Sequence, residues 1–351
     1  MLFRCAPRAP AEAQGGRPIA RKGSKSRVVD LHCHRESKAA TDMMTGEEFR
    51  PLPFGSEITR EVNRQQMIDI RPHMESVERR LADMDKMGVD VQAVSSAPYQ
   101  YYYNADPERG RASARQVNDD LAALVAAHAD RFVGLGTLPL QDAQMAVTEL
   151  VRCVKELGLR GIEIGTNVNG EEISSSRLAP VWAKVEELDV VVFIHPSGIT
   201  HPQRLGDHYL ANIVGNPMET TLALSHLIFD GVLERHAGLK IVAAHGGGFL
   251  GAYPARMDHG YHARRDVREG LPKPPTEYLK RIYFDTMVFD PDQIAFLVKK
   301  YGADHVVLGT DYPYDMGMYD PLALIGRVPG IDEATLEAIA GGNAARLLKL
   351  Q

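Results

Sequence analysis

From residue 28 onward, the sequence repeats one unit: a short apolar run rich in β-branched residues, a loop, and an amphipathic stretch of about ten to fifteen residues. Eight runs are present, at residues 28–32, 89–95, 132–138, 161–166, 190–195, 240–245, 282–288 and 306–311. Nearly continuous apolar runs are typical of parallel strands that are buried on both faces. The pattern therefore predicts an α/β protein with one parallel sheet.

The number of units indicates how this sheet closes. Eight consecutive βα units make up a (β/α)8 TIM barrel, so we predict that fold for residues 28–351 as one domain. A doubly wound open sheet is the alternative, because hydrophobic periodicity is the same in a closed and in an open parallel sheet.

One connection is much longer than the others. About 40 residues separate His34 from the amphipathic stretch at 75–87, and they include Pro51, Pro53 and Pro72. Connections of this length are uncommon in compact domains and are usually functional. We therefore expect a long inserted loop after strand one, over the C-terminal mouth of the barrel.

The charge of the chain is divided unevenly. Residues 1–27 carry seven basic residues against the single acid Glu12, whereas residues 28–351 carry 33 basic against 45 acidic residues. We expect a disordered basic tail over 1–27, with an organelle-targeting segment as the alternative. A barrel this acidic is a poor partner for nucleic acid.

Two further classes are disfavoured by the composition. No apolar run approaches the roughly 18 residues of a membrane span, so we expect no membrane association. The three cysteines form no C-x-x-C pair and are too few for a disulfide framework, which favours a reducing compartment and a cytoplasmic location.

Potential metal ligands stand at the carboxyl ends of four runs. His32 and His34 lie at the first, His195 at the fifth, His245 at the sixth and Asp311 at the eighth. Alternation along a strand puts positions i and i+2 on one face, so His32 and His34 can both point into the barrel. Two histidines from one strand, a third histidine and a carboxylate suit one divalent ion, with Zn²⁺ the first choice and Mn²⁺ or Fe²⁺ the alternatives.

At these residues the chain resembles the amidohydrolase superfamily, and within it the amidohydrolase 2 branch of 2-amino-3-carboxymuconate-6-semialdehyde decarboxylase-like enzymes. The resemblance extends from about Arg27 to Leu350 and includes residues 88–92 (GVDVQ), 139–141 (PLQ), 245–248 (HGGG), 311–313 (DYP) and 343–344 (NA). It implies that His32, His34, His195 and Asp311 are the metal ligands and that His245 is the catalytic acid–base group. Residues 162–167 hold no lysine of the kind that bridges two metals in this superfamily, which favours one metal.

The resemblance also implies that arginines recognise substrate carboxylates, one from the long loop and one from the partner of a homodimer. Arg256 matches the position of the second. Arg50 and Arg71 both remain candidates for the first. The chain departs from the family pattern at Arg35, where an aromatic residue is typical, and at Ser197-Gly198, where Trp-Asp is typical, so the substrate is not carried over.

The resemblance implies a metal-dependent, non-oxidative decarboxylase, a C–C lyase of a small unsaturated or aromatic carboxylic acid in the catabolism of aromatic compounds. A hydrolase or hydratase of a lactone, amide or ring-cleavage product is the alternative, because the same residues serve that chemistry and the fold does not fix the reaction. A non-catalytic binding barrel is disfavoured because the four expected metal ligands and His245 are all present.

Overall fold

The computed structural model describes residues 26–46, 55–200 and 202–350. The predicted basic tail, except for its last two residues, and Arg50 lie outside the described residues.

The described chain forms ten strands, most of them buried. They are β1 (Val29–Arg35), β2 (Val91–Ser96), β3 (Phe132–Gly136), β4 (Gly161–Ile164), β5 (Asn167–Val168), β6 (Glu171–Glu172), β7 (Val191–Ile194), β8 (Lys240–Ala243), β9 (Tyr283–Asp285) and β10 (Val306–Val307). β5 and β6 form a short antiparallel hairpin, and the other eight strands are parallel in the order β1-β2-β3-β4-β7-β8-β9-β10. Each of the eight predicted runs overlaps one of these parallel strands.

Helices follow the strands and cover the outside of the sheet. They are α1 (Lys38–Met43), α2 (Glu57–Glu75), α3 (Val77–Met87), α4 (Pro107–Ala127), α5 (Ala143–Lys155), α6 (Ala179–Leu188), α7 (Asn216–Phe229), α8 (Val232–Arg235), α9 (Gly248–Ala252), α10 (Ala255–Ala263), α11 (Arg265–Arg268), α12 (Pro275–Leu279), α13 (Pro291–Tyr301), α14 (Pro321–Ile325), α15 (Glu333–Glu337) and α16 (Asn343–Leu347). None of these described helices combines the length and apolar composition that a membrane span requires.

The two ends of the sheet meet. Leu31 N donates to Leu308 O (2.9 Å), and His34 N donates to Tyr312 O (2.8 Å), which joins β1 to the chain that continues from β10. An open sheet would leave β1 and β10 as separate edges. Because these bonds join the two edges, the sheet forms a nearly closed barrel. The (β/α)8 prediction is confirmed, and the doubly wound alternative is wrong.

Alternate residues of the strands fill the barrel interior. Val29, Leu31 and Phe193 belong to a buried cluster with inward residues of β2, β3, β8 and β10, and this cluster packs against Leu347 of α16. The intervening residues, such as Ile162 of β4, pack outward with the helices. The lower part of the barrel is therefore a solid apolar core, and polar chemistry is confined to its C-terminal mouth.

β1 contains an extra residue relative to its neighbour. Asp30 pairs with Gln92 of β2 and Cys33 pairs with Val94, so three steps along β1 match two steps along β2. This β-bulge changes the alternation within the strand, because Leu31 and His32 both face the interior. His32 and His34 consequently face the interior, as Leu31 does, although regular alternation from Leu31 would turn both histidines outward.

The insertion after β1 is present, but it is not the structureless loop that its prolines indicated. It contains α1 and the 19-residue α2, whose buried residues Ile70 and Met74 pack near Ala97. Pro72 lies in the last turn of α2, and the amide of Ser76 still donates to its carbonyl. A proline in that position ends a helix rather than preventing it, which explains why the sequence underestimated the helical content.

Candidate metal centre and active site

Five residues singled out in the sequence converge at the C-terminal mouth. His32 and His34 come from β1, and His195, His245 and Asp311 follow β7, β8 and β10. The ring of His195 has its centroid 5.0 Å from that of His32, 4.7 Å from that of His34 and 5.1 Å from that of His245. Four of the side chains are buried, and that of His245 is 14% exposed. The structure thus places all five in one cluster.

The wall of the barrel fixes the orientation of both β1 histidines. His32 Nδ1 lies 2.6 Å from Asp285 Oδ2, and His34 Nδ1 lies 3.0 Å from the carbonyl oxygen of Ser96. A ring nitrogen that faces such an acceptor carries the hydrogen and donates it, which leaves the lone pair on Nε2. Both Nε2 atoms lie 3.3 Å from Asp311 Oδ1. The two lone pairs and the carboxylate therefore face a common point.

The environment favours the protonation state that a metal ligand needs at His195 and Asp311, whereas at His32 burial is outweighed by Asp311 and Asp285, which raise the pKa to about 10. Burial lowers the pKa of His195 well below its usual value, and the neighbouring His34 and His32 lower it further. Burial opposes ionisation of Asp311, but His32, His245 and His34 outweigh it and hold the pKa of this carboxyl well below its usual range. A neutral imidazole and an ionised carboxylate are the forms that bind metals.

Several buried atoms at this point have no hydrogen-bond partner among the described residues: His32 Nε2, His34 Nε2, both ring nitrogens of His195, and Asp311 Oδ1. Buried polar atoms are nearly always hydrogen-bonded, so nitrogens and an oxygen left free around one point fit a divalent cation. One set of ligand atoms within 4.8 Å of one another comes from His32, His195, His245 and Asp311, and another from His34, Glu163 and His195. The residues present therefore fit a metal ion, and His245 lies within ligand distance of three of them.

Two acids at this site were missed in the sequence. Asp285, at the end of β9, accepts hydrogen bonds from the amides of His245 (3.0 Å) and Gly246 (2.7 Å) besides facing His32. Glu163 of β4 is fully buried, accepts a 2.6 Å hydrogen bond from the Tyr101 hydroxyl, and has its pKa raised by burial. The available signal was an acid inside an apolar run, because such a residue is rarely buried without a specific partner.

A left-handed turn directs His245 into the mouth. His245 itself has φ 56°, and the three glycines after it have φ 60°, 77° and 60°. A Cβ at Gly246 would lie 2.3 Å from Val288 Cγ1, and one at Gly248 would lie 2.2 Å from the carbonyl oxygen of Pro217. Glycine is therefore required here for both conformation and packing, and the turn keeps His245 against the β9 end.

A cavity of about 300 Å³ reaches the cluster from solvent. His245 and Asp311 line it, together with two amide side chains, Asn212 and Asn216. The rest of its described lining is largely apolar and consists of Ile213, Pro217, Gly248, Phe249, Met287, Val288, Phe289 and Met316. An apolar ligand with a polar end directed at His245 and Asp311 suits this lining.

The predicted substrate arginines lie apart from this cavity. Arg71 is exposed on α2, so it is a helical residue and not the loop residue that the sequence indicated. Arg256 is exposed on α10. Neither lines the cavity within this chain, and Arg50 falls outside the described residues.

The family model described as Amidohydrolase matches residues 29–350, which is the whole barrel. The chain belongs to the amidohydrolase family. The resemblance seen in the sequence is therefore confirmed.

Three relatives of this amidohydrolase show the chemistry of its neighbours. It is 39% identical to 2-amino-3-carboxymuconate-6-semialdehyde decarboxylase of Dictyostelium discoideum over 77% of this chain and 76% of the relative. The crystal structure of 5-carboxyvanillate decarboxylase from Sphingomonas paucimobilis matches with a TM-score of 0.82 and 27% identity, covering 93% of this chain and 99% of that one.

A dihydroxybenzoic acid decarboxylase from Polaromonas sp. JS666, with bound manganese and the inhibitor 2-nitroresorcinol, matches with a TM-score of 0.77 and 26% identity, covering 93% and 97%. All three relatives are named as decarboxylases of carboxylic acids. The sequence relative and the two solved structures thus support the carboxy-lyase prediction for this amidohydrolase.

We expect replacement of Asp285 by asparagine to weaken divalent-metal binding by this amidohydrolase by about 10- to 100-fold. An asparagine side chain lacks the negative charge that would make His32 a stronger ligand, and it accepts hydrogen bonds less well from the backbone amides of His245 and Gly246. Competition with a chromogenic chelator measures the affinity, and Asp292→Asn, an exposed aspartate of α13, is the control. Equal affinities for the two variants would contradict this role.

Proposed function

We propose that this amidohydrolase is a metal-dependent, non-oxidative decarboxylase of a small unsaturated or aromatic carboxylic acid. The observation that carries the proposal is the group of buried nitrogens and a carboxylate oxygen without hydrogen-bond partners, beside a cavity with an apolar lining. The decarboxylases among its relatives support the same reaction.

In this proposal His32, His34, His195 and Asp311 hold one divalent ion. Zn²⁺ is our first choice from the nitrogen-rich ligand set, and Mn²⁺ is supported by the manganese in the Polaromonas relative. When bound, the ion supplies positive charge that orients a carboxylate and stabilises negative charge on the substrate. Asp285 and Ser96 would keep the β1 histidines turned toward it.

His245 acts as the proton donor in this proposal. It would transfer a proton to the ring or chain carbon that bears the carboxylate, after which the carbon–carbon bond breaks, CO₂ leaves and the electron pair restores the unsaturated system. Its Nε2 lies 3.7 Å from Asp311 Oδ2, which would keep the imidazole directed into the cavity. The apolar side chains of Met287 and Phe289 would hold the substrate and exclude water.

We also propose a homodimer in which Arg256 of each protomer serves the partner's site, while Arg50 or Arg71 serves its own. Phe249 and Tyr253 are large exposed apolar residues on and beside α9, close in sequence to Arg256, and a partner surface would cover them. A cytoplasmic location is supported by Cys33 and Cys153, which are free buried thiols.

Purified protein supplied with Mn²⁺ or Zn²⁺ is expected to release CO₂ from at least one acid in a panel of 2,6-dihydroxybenzoate, 5-carboxyvanillate and 2-amino-3-carboxymuconate-6-semialdehyde. CO₂ release and product mass are followed together, and chelator-treated protein serves as the control. Product that gains the mass of water without CO₂ would replace the proposal with the hydrolase or hydratase alternative.

A further inference from the structure

The bulge of β1 leaves backbone groups that the sheet ladder does not pair. The amide of His32 lies at the bulge and donates instead to the side chain of Asp30 (Oδ1, 3.2 Å). The carbonyl of His34, just after the bulge, accepts from the guanidinium of Arg80, on α3. Side chains therefore satisfy the backbone where the two histidines are placed.

Arg80 reaches this point from the outside of the barrel. It is 1% exposed, and besides its bond to the His34 carbonyl it donates from Nη1 to Gln92 Oε1 (2.9 Å). Its guanidinium carbon lies 4.7 Å from the centroid of the ring of Tyr312, the residue that follows Asp311 in the sequence. One side chain thus contacts the backbone of a β1 histidine and the residue next to Asp311.

Gln92 connects Arg80 to the buried carboxylate of Asp30. Its Nε2 donates to Asp30 Oδ2 (3.0 Å), and Asp30 also accepts from the Thr310 hydroxyl (2.6 Å) and amide (3.1 Å). Thr310 precedes Asp311. Asp30 and Arg80, the two ends of this chain of hydrogen bonds, each contact both β1 and the turn that carries Asp311. The side-chain amide of Gln92 links the buried guanidinium of Arg80 to the buried carboxylate of Asp30.

We propose that the Asp30–Gln92–Arg80 bridge is a positioning unit that fixes the β1 bulge, so that His32 and His34 are held at the correct distance from Asp311. The inference rests on the proposed metal site. None of the three belongs to the described lining of the cavity or to the possible ligand sets, so they would act through the backbone of the ligands. Arginine is needed because its planar fork bonds a carbonyl and an amide oxygen at once while its face covers an aromatic ring, which lysine does not reproduce.

The test compares Arg80→Lys, Asp30→Asn and the double variant with Arg79→Lys, which changes the exposed neighbouring arginine on α3. Mn²⁺ affinity is measured by chelator competition, and the visible spectrum of the Co²⁺-loaded protein reports the ligand geometry. We expect each single variant to bind Mn²⁺ about tenfold more weakly or worse and to change the Co²⁺ spectrum. The double variant should lose less than the product of the two single losses, because one bridge is broken in each case.

A metal-independent measurement separates this inference from the proposed function. Amide hydrogen exchange in metal-depleted protein should become about tenfold faster in a peptide covering residues 29–36, with a peptide covering α13 unchanged. Local acceleration would support the bridge even if the protein bound no divalent ion, in which case only the proposed function fails.

Three results would overturn the inference. The first is Arg80→Lys with the Mn²⁺ affinity, Co²⁺ spectrum and local exchange of Arg79→Lys. The second is exchange that accelerates equally throughout the molecule, which indicates general destabilisation. The third is failure of both Arg80→Lys and Asp30→Asn to fold while Arg79→Lys folds, which would assign the bridge to overall stability.

Discussion

Asp311→Asn is expected to lose tightly bound divalent metal and to lower turnover by about 10³-fold or more, since a bound ion supplies several kcal/mol of charge stabilisation. Asparagine is the preferred replacement because Asp311 has φ 54°, a left-handed conformation that asparagine tolerates. The charge that faces both His32 Nε2 and His34 Nε2 at 3.3 Å is then removed with little backbone strain.

Metal content after gel filtration and turnover measure this prediction. His195→Ala is a second route to the same loss, because both nitrogens of that ring lack hydrogen-bond partners among the described residues and no structural bond is broken. Asp292→Asn should keep metal and turnover at the level of the unchanged protein. If Asp311→Asn retained one metal per chain with the same affinity, Asp311 would not be a ligand.

His245→Asn is expected to keep the metal and to lower turnover by about 10²- to 10⁴-fold, the range that general acid–base groups supply. Asparagine again suits the left-handed backbone at this position, φ 56°. The separation of metal content from turnover is decisive, because His245 also lies within ligand distance of His32, His195 and Asp311. Loss of metal in His245→Asn would make it a ligand rather than the proton donor, and His259→Asn, an exposed histidine of α10, is the control.

The sequence predicted the barrel because its signal is repeated. Each of eight apolar runs lies on a parallel strand, and a buried parallel sheet leaves that pattern whatever the details of its loops. The grouping of His32, His195 and Asp311 followed from the same rule, since the carboxyl ends of parallel strands meet at one edge of the barrel.

What the sequence did not predict depends on contacts between distant segments. Asp285 belongs to the site because it meets His32, 253 residues away along the chain, and no local spacing encodes that contact. The helix α2 was missed because Pro72 indicated a loop, whereas packing of Ile70 and Met74 against the barrel favours the helix. Two consecutive arginines, Arg79 and Arg80, indicate an exposed charged segment in the sequence. The burial of Arg80 depends on contacts that only the tertiary fold creates.

The extra residue in β1 has a consequence for how such sites are recognised and redesigned. Strict alternation counted from Val29 and Leu31, which face the interior, would assign His32 and His34 to the outer face. A designer who forced β1 into strict alternation while keeping every residue would obtain a more regular ladder with both imidazoles directed at the surrounding helices. The bulge is thus as necessary to the proposed metal site as the histidines themselves. A sequence that keeps the H-x-H letters but shifts their phase would keep the motif without the chemistry.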